Sequence, residues 1–264
     1  MILPEPPKAL SLSVTDLSVQ IGGKHQLKEI SFQVPSGGAI SITGPVNSGK
    51  SALLWAINGL LYEVPGAKVK GKVQIEHVEL QQIPVGEVRQ RVGLHITAPL
   101  ARTPFAEVAL PLQGAHLADI GARVEHVLRL VGLWSTVRNQ LHQPYSVSNP
   151  VLLRLLTLAR TIVRLPGILL LDDPTRGLDN MGRARFEDAV ANIISTHKMT
   201  LVWATREPDQ AGRVAETMAF LCNGEMIELG PTASIFERPG DPRTESFLTG
   251  DYLTLQSLLN GNNL

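Results

Sequence analysis

Hydrophobic and polar residues alternate along the first part of the chain, which is the pattern of half-buried strands. The apolar positions are Leu12, Val14, Leu17, Val19 and Ile21 in a first stretch, with a phase slip at Asp16, and Ile30, Phe32 and Val34 in a second. These stretches are predicted to be antiparallel strands that lead into the core. The next alternating stretch, Ala39 to Thr43, is predicted to be a strand that is followed by a helix from Ser51 to Ile57.

The middle of the chain changes from strand patterns to a helical one. Short strands are predicted at Val73 to Ile75 and at Arg91 to Ile96. Three prolines then predict an extended connector over residues 98–113. Beyond it, an i, i+3, i+4, i+7 spacing predicts an amphipathic helix whose apolar positions are Val124, Val127, Leu128 and Val131. A helical insertion is therefore expected over roughly residues 99–164.

The last third of the chain contains two continuous apolar runs, Ile168 to Leu171 and Thr200 to Ala204. Such runs are typical of strands that are buried on both faces of a parallel sheet. Asn223 and Gly224 lie between apolar stretches and predict a tight hairpin turn. The whole pattern predicts a mostly parallel α/β core with a β-rich front and a helical insertion.

A phosphate-binding pattern, GxxxxGK(S/T), lies between the strand predicted at Ala39 to Thr43 and the helix that follows. Its residues are Gly44, Pro45, Val46, Asn47, Ser48, Gly49, Lys50 and Ser51. Backbone N–H groups of such a loop converge on one anion, and the helix N-terminus adds its positive dipole end. Lys50 is expected to reach the β- and γ-phosphates and Ser51 to ligate Mg²⁺, so the predicted ligand is a nucleoside triphosphate with Mg²⁺.

Composition narrows the class of protein. With 264 residues, 44% of them hydrophobic, the chain can form one large domain or a domain with an insertion. Lys plus Arg and Asp plus Glu both number 24, so no net field attracts nucleic acid or anionic lipid, and membrane association is expected only through a protein partner. Arginines interrupt the apolar stretch Val151 to Leu171, which therefore does not qualify as a membrane span. The one cysteine, Cys222, suits a reducing cytoplasm and is expected to be buried.

The order of these motifs resembles the nucleotide-binding subunits of ABC transporters over nearly the whole chain. The phosphate loop is followed by the helical insertion, then Leu-Leu-Leu-Asp-Asp-Pro-Thr at 169–175 and Gly-Leu-Asp at 177–179. Segments within 132–142 and 223–250 are similar to the phosphate-import subgroup in particular. The resemblance implies an α/β fold of the P-loop NTPase type, with a RecA-like core, an antiparallel β subdomain and an inserted helical subdomain.

The resemblance also implies how the chain is divided into domains and which ligands and partners it binds. A single ATP-binding domain is expected over residues 9–250, with the helical subdomain at about 99–164 and a C-terminal tail at 251–264. The implied ligands are ATP and Mg²⁺. The implied partners are membrane permease subunits and a second nucleotide-binding subunit, in a homodimer or a heterodimer. The implied location is cytoplasmic, peripheral on the inner face of the plasma membrane.

The resemblance also assigns two carboxylates after the buried strand. Asp172 takes the place of the Walker B aspartate that orients Mg²⁺, and a carboxylate at the C-terminal end of a buried strand does face the crevice where α/β sheets bind ligands. Asp179 takes the place of the D-loop aspartate at the dimer interface. Asp173 replaces the glutamate that polarises the attacking water, and it is one methylene shorter. Asp173 is therefore expected to be a poor general base.

Three further positions depart from the family pattern. Arg206 stands where the family has a switch histidine, and a guanidinium cannot accept a hydrogen bond. It either pairs with a γ-phosphate or is a solvated arginine that pairs with Glu207. Thr97 replaces the Q-loop glutamine and is too short to match its reach. Ile21 replaces the aromatic residue that stacks on adenine and offers no π face.

The signature motif of the family aligns with Ser148 to Leu152, where both glycines are missing. Pro150 removes one backbone donor, and Val151 places a branched side chain where close approach needs glycine. A structural account is that Asn149 caps a helix, Pro150 takes its first position, and the core is supplied by Leu152, Leu153, Leu155 and Leu156. A one-residue shift restores Ser148 as the signature serine but not the glycines.

These departures predict binding without efficient hydrolysis. Each ABC site combines one subunit's phosphate loop with the other subunit's signature, so neither a homodimer nor an intact partner gives this chain a complete site. Hydrolysis is expected to be slower than in an intact relative by about three orders of magnitude or more. The leading hypothesis is a phosphate-type ABC subunit whose ATP occupancy drives dimer closure against permeases. The alternatives are a regulatory or sensory ATP-binding protein and an active ATPase that uses Asp173.

Overall fold

A four-stranded antiparallel sheet forms one side of the protein, which is described by a computed structural model over residues 9–99, 101–112, 120–145 and 148–259. Its strands are β1 (Leu12–Ile21), β2 (Lys24–Val34), β4 (Ala67–Ile75) and β5 (Val78–Glu79), in the order β2-β1-β4-β5. The apolar positions predicted for β1 and β2 are buried. The strand predicted at Val73 is longer than expected, because β4 begins six residues earlier at Ala67 on a Lys-rich, largely exposed stretch.

The phase slip predicted at Asp16 is a bulge in β1. The register of β1 shifts against both of its neighbours around this residue, and Asp16 has a left-handed backbone with φ 48°. A Cβ atom at Gly71, on β4, would lie 2.3 Å from the carbonyl oxygen of Asp16. The bulge therefore needs glycine on the neighbouring strand, and the predicted break in the alternation is confirmed.

The second sheet has six strands in the order β10-β9-β3-β8-β7-β6. They are β3 (Ala39–Thr43), β6 (Val92–His95), β7 (Ile168–Asp172), β8 (Thr200–Thr205), β9 (Thr217–Cys222) and β10 (Glu225–Pro231). β10 pairs antiparallel with β9, and the other pairs are parallel. Asn223 and Gly224 both have positive φ, 48° and 80°, and form the predicted hairpin turn between β9 and β10.

The described helices fall into three groups along the chain. Those around the two sheets are α1 (Lys50–Ile57), α2 (Val85–Arg91), α7 (Asn180–His197), α8 (Pro208–Val214) and α9 (Thr232–Glu237). Those of the inserted region are α3 (Pro104–Ala109), α4 (Ile120–Leu130), α5 (Trp134–Val137) and α6 (Pro150–Ile162). The last two are α10 (Pro242–Leu248) and α11 (Tyr252–Leu259). Short 3₁₀ helices occur at Leu60–Glu63, Leu80–Gln82 and Leu110–Leu112.

The helical pattern predicted at Val124 is confirmed, since all four of its apolar positions are at most 2% exposed. The extended connector predicted over 98–113 is wrong where that segment is described, because it contains α3 and the 3₁₀ helix at Leu110–Leu112. Pro104 occupies the first turn of α3, where a missing N–H costs nothing, and the Thr103 hydroxyl accepts from Ala106 N at 3.2 Å. The prolines therefore begin this helix and do not prevent it.

The segment 251–264, which was expected to be a tail, contains α11 in its described part. Leu255 of α11 is 3% exposed and packs with Phe220, Cys222 and Phe247 in a small cluster. Cys222 is buried, as predicted. Among the described residues, no helix has both the length and the apolar character that crossing a bilayer requires.

Two hydrophobic clusters meet at β7. Ile168 and Leu170 belong to a cluster with the antiparallel sheet and α1, whereas Leu169 and Leu171 belong to a cluster with α4, α6 and α7. Successive residues of β7 thus point to opposite faces, as expected for a strand buried on both sides. Because the parallel strands all end at the same edge, the residues that follow β7 and β8 lie near the loop that follows β3.

Candidate functional site

The loop from Gly44 to Gly49 connects β3 to α1, and its path depends on glycine at both ends. Gly44 has φ 150°, and a Cβ atom there would lie 2.0 Å from the Leu221 carbonyl oxygen. Gly49 has φ 106°, and a Cβ atom there would lie 2.6 Å from the Gln26 carbonyl oxygen. The glycines of the phosphate pattern are therefore required by backbone conformation and by close contact with neighbouring strands.

Lys50 is buried at the start of α1 and is enclosed by this loop. Its Nζ donates to the carbonyl oxygens of Gly44 and Pro45 at 2.8 and 2.7 Å, and to Ser48 Oγ at 2.9 Å. Burial lowers the pKa of Lys50 to about 8, and the carboxylates of Asp173 and Asp172 oppose this shift. An incoming anion would therefore find a single ammonium group held in place by the loop itself.

Ser51 and Asp172 supply oxygen atoms in the same cleft. Asp172 is the last residue of β7, and burial raises the pKa of its carboxyl, while a hydrogen bond from the Ser51 hydroxyl opposes the shift. A hydroxyl and a carboxylate that approach each other in a polar cleft fit the preference of Mg²⁺ for oxygen ligands. These two residues could therefore hold Mg²⁺, together with phosphate oxygens and water.

Asp173 and Arg206 form an ion pair at the mouth of the cleft. Arg206 Nε donates to Asp173 Oδ2 at 2.8 Å, and the side chains are 31% and 18% exposed. Neither alternative for Arg206 anticipated this contact, and the predicted pairing with Glu207 is wrong, because Glu207 pairs with Arg183 at 3.4 Å. Asp173 itself has φ 44°, and its N–H donates to the Ala204 carbonyl at 2.8 Å. The turn after β7 thus directs this carboxylate toward the residue that follows β8.

The cleft has a volume of about 420 Å³ and collects residues from six parts of the chain. Its walls are formed by Gln26, Val46, Asn47, Ser48, Gly49, Lys50, Ser51, Ala52, Thr97, Arg154, Asp172, Asp173, Arg176 and Arg206. Gly44 and Pro45 contribute carbonyl groups to Lys50 beneath it. Ile21, proposed as the adenine contact, does not line the cleft and packs partly against the cluster of the antiparallel sheet.

Four of the lining residues were not among the predicted site residues: Gln26, Ala52, Arg154 and Arg176. Gln26 reaches the cleft because its strand contacts Gly49, which no sequence pattern indicates. Arg154 lies on α6, and its Nη2 donates to the Arg176 carbonyl at 3.0 Å. Arg176 lies in the Asp-Asp-Pro-Thr-Arg run, so its closeness to Asp173 was readable from the sequence, but its cleft-facing position was not.

The residues aligned with the signature motif begin α6. Asn149 Oδ1 accepts from Leu152 N at 2.9 Å, and Pro150 is the first helical residue, so the predicted capping is confirmed. Leu155 and Leu156 are fully buried, whereas Leu152 and its neighbour Leu153 are only half-buried. Leu152 and Leu153 therefore contribute less to the core than predicted.

The first turn of α7 packs directly against the start of α6. Asp179 caps α7 by accepting from Gly182 N at 2.7 Å. A Cβ atom at Gly182 would lie 2.7 Å from Val151 Cγ2, so the valine side chain fills the space beside this glycine. Within one chain, Val151 and Asp179 thus have structural roles, and the predicted position of Asp179 at a dimer interface stays a prediction.

The segment that carries Thr97 is fixed to the inserted helices by a buried network. Arg160, on α6, donates to the carbonyl oxygens of Ile96 and Ala98 at 2.7 and 3.0 Å and forms an ion pair with Glu107. Glu107 is fully buried and also accepts from Ala101 N at 2.7 Å. The network connects one wall of the cleft to α3 and α6.

Comparisons with known proteins agree with this fold. A family model described as ABC transporter matches residues 27–176. A phosphate import ATP-binding protein PstB from Thermococcus kodakarensis is 32% identical over 253 residues, which cover 91% of this chain and 98% of that protein. Proteins of the same name from Aeropyrum pernix and Pyrococcus furiosus are 32% and 33% identical over 252 and 250 residues, with 92% and 91% of this chain covered and 99% and 98% of theirs.

A solved structure shows the same architecture. CbiO1 from Clostridium perfringens, described as part of the ABC transporter complex CbiONQ, superimposes with a TM-score of 0.76 at 21% identity. The match covers 93% of this chain and 98% of that one. Together with the matched family model and the relatives above 30% identity, it shows that this chain belongs to the ABC transporter family as an ATP-binding domain.

Proposed function

We propose that this chain is the ATP-binding subunit of a phosphate-type ABC transporter, that it binds Mg-ATP in the cleft beside Lys50, and that it hydrolyses ATP slowly. The observation that carries the proposal is the cleft itself, in which the phosphate loop lies opposite an ion-paired Asp173. The relatives named for phosphate import support phosphate as the solute of the partner permease. The subunit is expected to act on the cytoplasmic, inner face of the plasma membrane.

Binding is supported by groups that need no partner chain. The loop between β3 and α1 presents backbone N–H groups at the N-terminus of a helix, which is a favourable place for phosphate oxygens. Lys50 is already fixed within hydrogen-bonding distance of the loop. Mg²⁺, when bound through Ser51 and Asp172, neutralises phosphate charge. Each of these contacts is made with ground-state ATP and does not depend on catalysis.

Slow hydrolysis is supported by the pairing of Asp173 with Arg206. A general base must accept a proton from the attacking water, and one oxygen of Asp173 already accepts a hydrogen bond from a guanidinium. Arg206 has no acceptor atom with which to position that water. Thr97 is the only other predicted catalytic position on the cleft wall, and its hydroxyl belongs to a short side chain. Positioning of water is therefore expected to be poor.

A permease contact is supported by a groove next to the segment that carries Thr97. The groove is about 340 Å³ in volume, and its lining includes apolar Leu94, Ile96 and Leu110 together with basic Arg89 and Arg164. Ile96 is 51% exposed. A groove that combines apolar and basic side chains is a suitable docking surface for a cytoplasmic helix of a permease. Through Ile96 and Thr97 the groove and the cleft share one segment of chain.

The partner proposal is tested by a native pull-down from membranes. A transport subunit is expected to be recovered with membrane permeases and with a second nucleotide-binding subunit. Ile96→Asp is expected to reduce that recovery, because it places a charge in the apolar part of the groove. Val78→Asp, at another exposed apolar position outside the groove, is the matched control. Recovery of the chain without any permease would support a regulatory or sensory role in place of transport.

The hydrolysis proposal predicts a turnover number below about 0.01 per second, three orders of magnitude under a typical enzyme. The double variant Asp173→Glu, Arg206→His is expected to stay within about threefold of that rate, because the signature donors at Pro150 and Val151 are still missing. Turnover is measured with purified chain, alone and with its partners. Several turnovers per second in the unmodified protein, or full recovery in the double variant, would show that the proposal is wrong.

The pH dependence of ATP binding follows from the lowered pKa of Lys50, about 8 in the nucleotide-free protein. Bound phosphate favours the ammonium form and raises that pKa again, so affinity is expected to be level below pH 8 and to fall above it, by up to about tenfold per pH unit. The stability of the nucleotide-free protein has the opposite pH dependence. Burial of the Lys50 ammonium destabilises the fold fully below pH 8, and this destabilisation is relieved as the pH rises toward the unfolded pKa of 10.5.

Calorimetric titration with Mg-ATP between pH 7 and pH 9.5 checks this dependence. Lys50→Arg keeps its charge across the whole range, so any binding that this variant retains is expected to show no break near pH 8. Affinity of the unmodified chain that is constant up to pH 9.5 would contradict the assignment of Lys50 as the titrating group.

A further inference from the structure

Three arginines surround the acidic end of β7 inside the cleft. Arg154 comes from α6, Arg176 from the loop that follows β7, and Arg206 directly follows β8. With Lys50 they make four basic side chains in the cleft wall, against the two carboxylates Asp172 and Asp173. Positive charges thus exceed negative ones by two. Such an excess complements an anion that carries at least two negative charges.

Arg154 is held in the cleft with hydrogen-bonding capacity to spare. Its Nη2 donates to the Arg176 carbonyl, while its Nε is buried and has no hydrogen-bond partner among the described residues. Burial lowers the pKa of Arg154, and the nearby Asp173 carboxylate opposes that shift. A buried guanidinium N–H without an acceptor costs free energy unless a ligand supplies one. The Asp173 carboxylate acts on the charge of Arg154, so this guanidinium lies toward the Asp173 end of the cleft, where it suits an anionic acceptor oxygen.

The position of the arginines in the cleft indicates which part of a bound nucleotide they would contact. Lys50 and Ser51, at the start of α1, are placed for the β- and γ-phosphates, and Asp172 adjoins them at the end of β7. Gln26 lies on the opposite side, where the antiparallel sheet contacts Gly49. With its β- and γ-phosphates at Lys50 and Ser51, a bound triphosphate would direct its terminal phosphate toward Asp173 and the arginines. Arg206 is already engaged by Asp173, which leaves Arg154 and Arg176 as the main candidates.

We propose that Arg154 and Arg176 bind the γ-phosphate of ATP within the same chain and thereby make this chain distinguish ATP from ADP without a partner's signature segment. The proposal rests on the proposed function, because it assumes that the cleft holds a nucleotide. Guanidinium groups bind phosphate through charge-assisted, often bidentate hydrogen bonds, which suits them to this role. Arg154 from α6 and Arg176 from the loop after β7 would supply, within one chain, the contacts that the altered signature segment cannot supply across a dimer.

The test compares ATP and ADP binding to monomeric protein in the presence of Mg²⁺, by calorimetry with a non-hydrolysable ATP analogue and with ADP. The unmodified chain is expected to bind the ATP analogue at least about tenfold more tightly than ADP. Arg154→Gln and Arg176→Gln are each expected to weaken analogue binding by about tenfold while ADP affinity changes by less than twofold. Arg185→Gln, an exposed arginine of α7 outside the cleft, is the matched control.

The outcomes separate this inference from the function on which it rests. Equal loss of both affinities in the two variants, or no loss in either, would overturn the γ-phosphate role and leave nucleotide binding intact. Failure of the unmodified chain to bind either nucleotide would overturn the proposed function and this inference with it. If Arg154→Gln does not fold, the decision rests on Arg176→Gln, because Arg176 is exposed and its side chain is not part of the core.

Discussion

Replacing Lys50 with alanine is expected to weaken Mg-ATP binding by about 100-fold or more. The ammonium is buried, and it is the cation that the loop carbonyls of Gly44 and Pro45 hold beneath the phosphate site. Its removal deletes the charge that faces the β- and γ-phosphates and also leaves these carbonyls without their shared donor. The dissociation constant is measured by calorimetric or fluorescence titration of the purified variant.

Lys28→Ala is the matched control for this substitution. Lys28 pairs with Glu225 at 2.8 Å, its side chain is 48% exposed, and it lies outside the cleft. The affinity of the Lys28→Ala variant for Mg-ATP is expected to stay within about twofold of that of the unmodified protein, since an exposed ion pair contributes little to stability. An affinity of Lys50→Ala within threefold of the unmodified chain would mean that the nucleotide is bound elsewhere.

Replacing Glu107 with alanine is expected to lower the free energy of unfolding by about 3–5 kcal/mol, because it leaves the Arg160 guanidinium without its anion. Arg160 is 6% exposed and Glu107 is fully buried, so the uncompensated charge in the variant lies away from bulk solvent. The substitution also removes the acceptor of Ala101 N. The effect is measured as the shift in the urea midpoint at constant m-value.

The exposed pair of Glu125 and Arg129 provides the comparison. These residues are one turn apart on α4, and their side chains are 42% and 58% exposed. Glu125→Ala is expected to cost less than about 1 kcal/mol, because solvent screens such a pair. If the two alanine variants unfolded at the same urea concentration, the buried network would not be what fixes the Thr97 segment to α3 and α6.

Much of the fold was predictable because its signals are local. Alternation identified β1 and β2, and even the bulge at Asp16 appeared as a break in that alternation. The two apolar runs identified β7 and β8, since strands buried on both faces leave no polar positions. The start of β4 was missed because its lysines and Gly71 resemble a solvated loop, and α3 was missed because proline at a helix start has the same composition as proline in a connector.

Only the part of the candidate site that lies in contiguous motifs was predictable from the sequence. The phosphate loop and the two aspartates that follow β7 are contiguous motifs, and the structure brings them to one cleft. Gln26 and Arg154 reach the same cleft from segments with no recognisable motif. Ile21, assigned only by its position before a glycine turn, lies outside it, because alignment with a family pattern gives no side-chain direction.

The sequence by itself determined that a loop able to hold phosphate follows a buried strand, because eight adjacent residues specify the glycine conformations and the lysine that this loop needs. Only the tertiary structure decided which charges meet around that loop. Arg206 reaches Asp173 across 33 residues of chain, and Arg154 enters the cleft from α6. Such contacts depend on how α6 and the strands pack against one another, and packing of distant segments leaves no spacing in the sequence to detect.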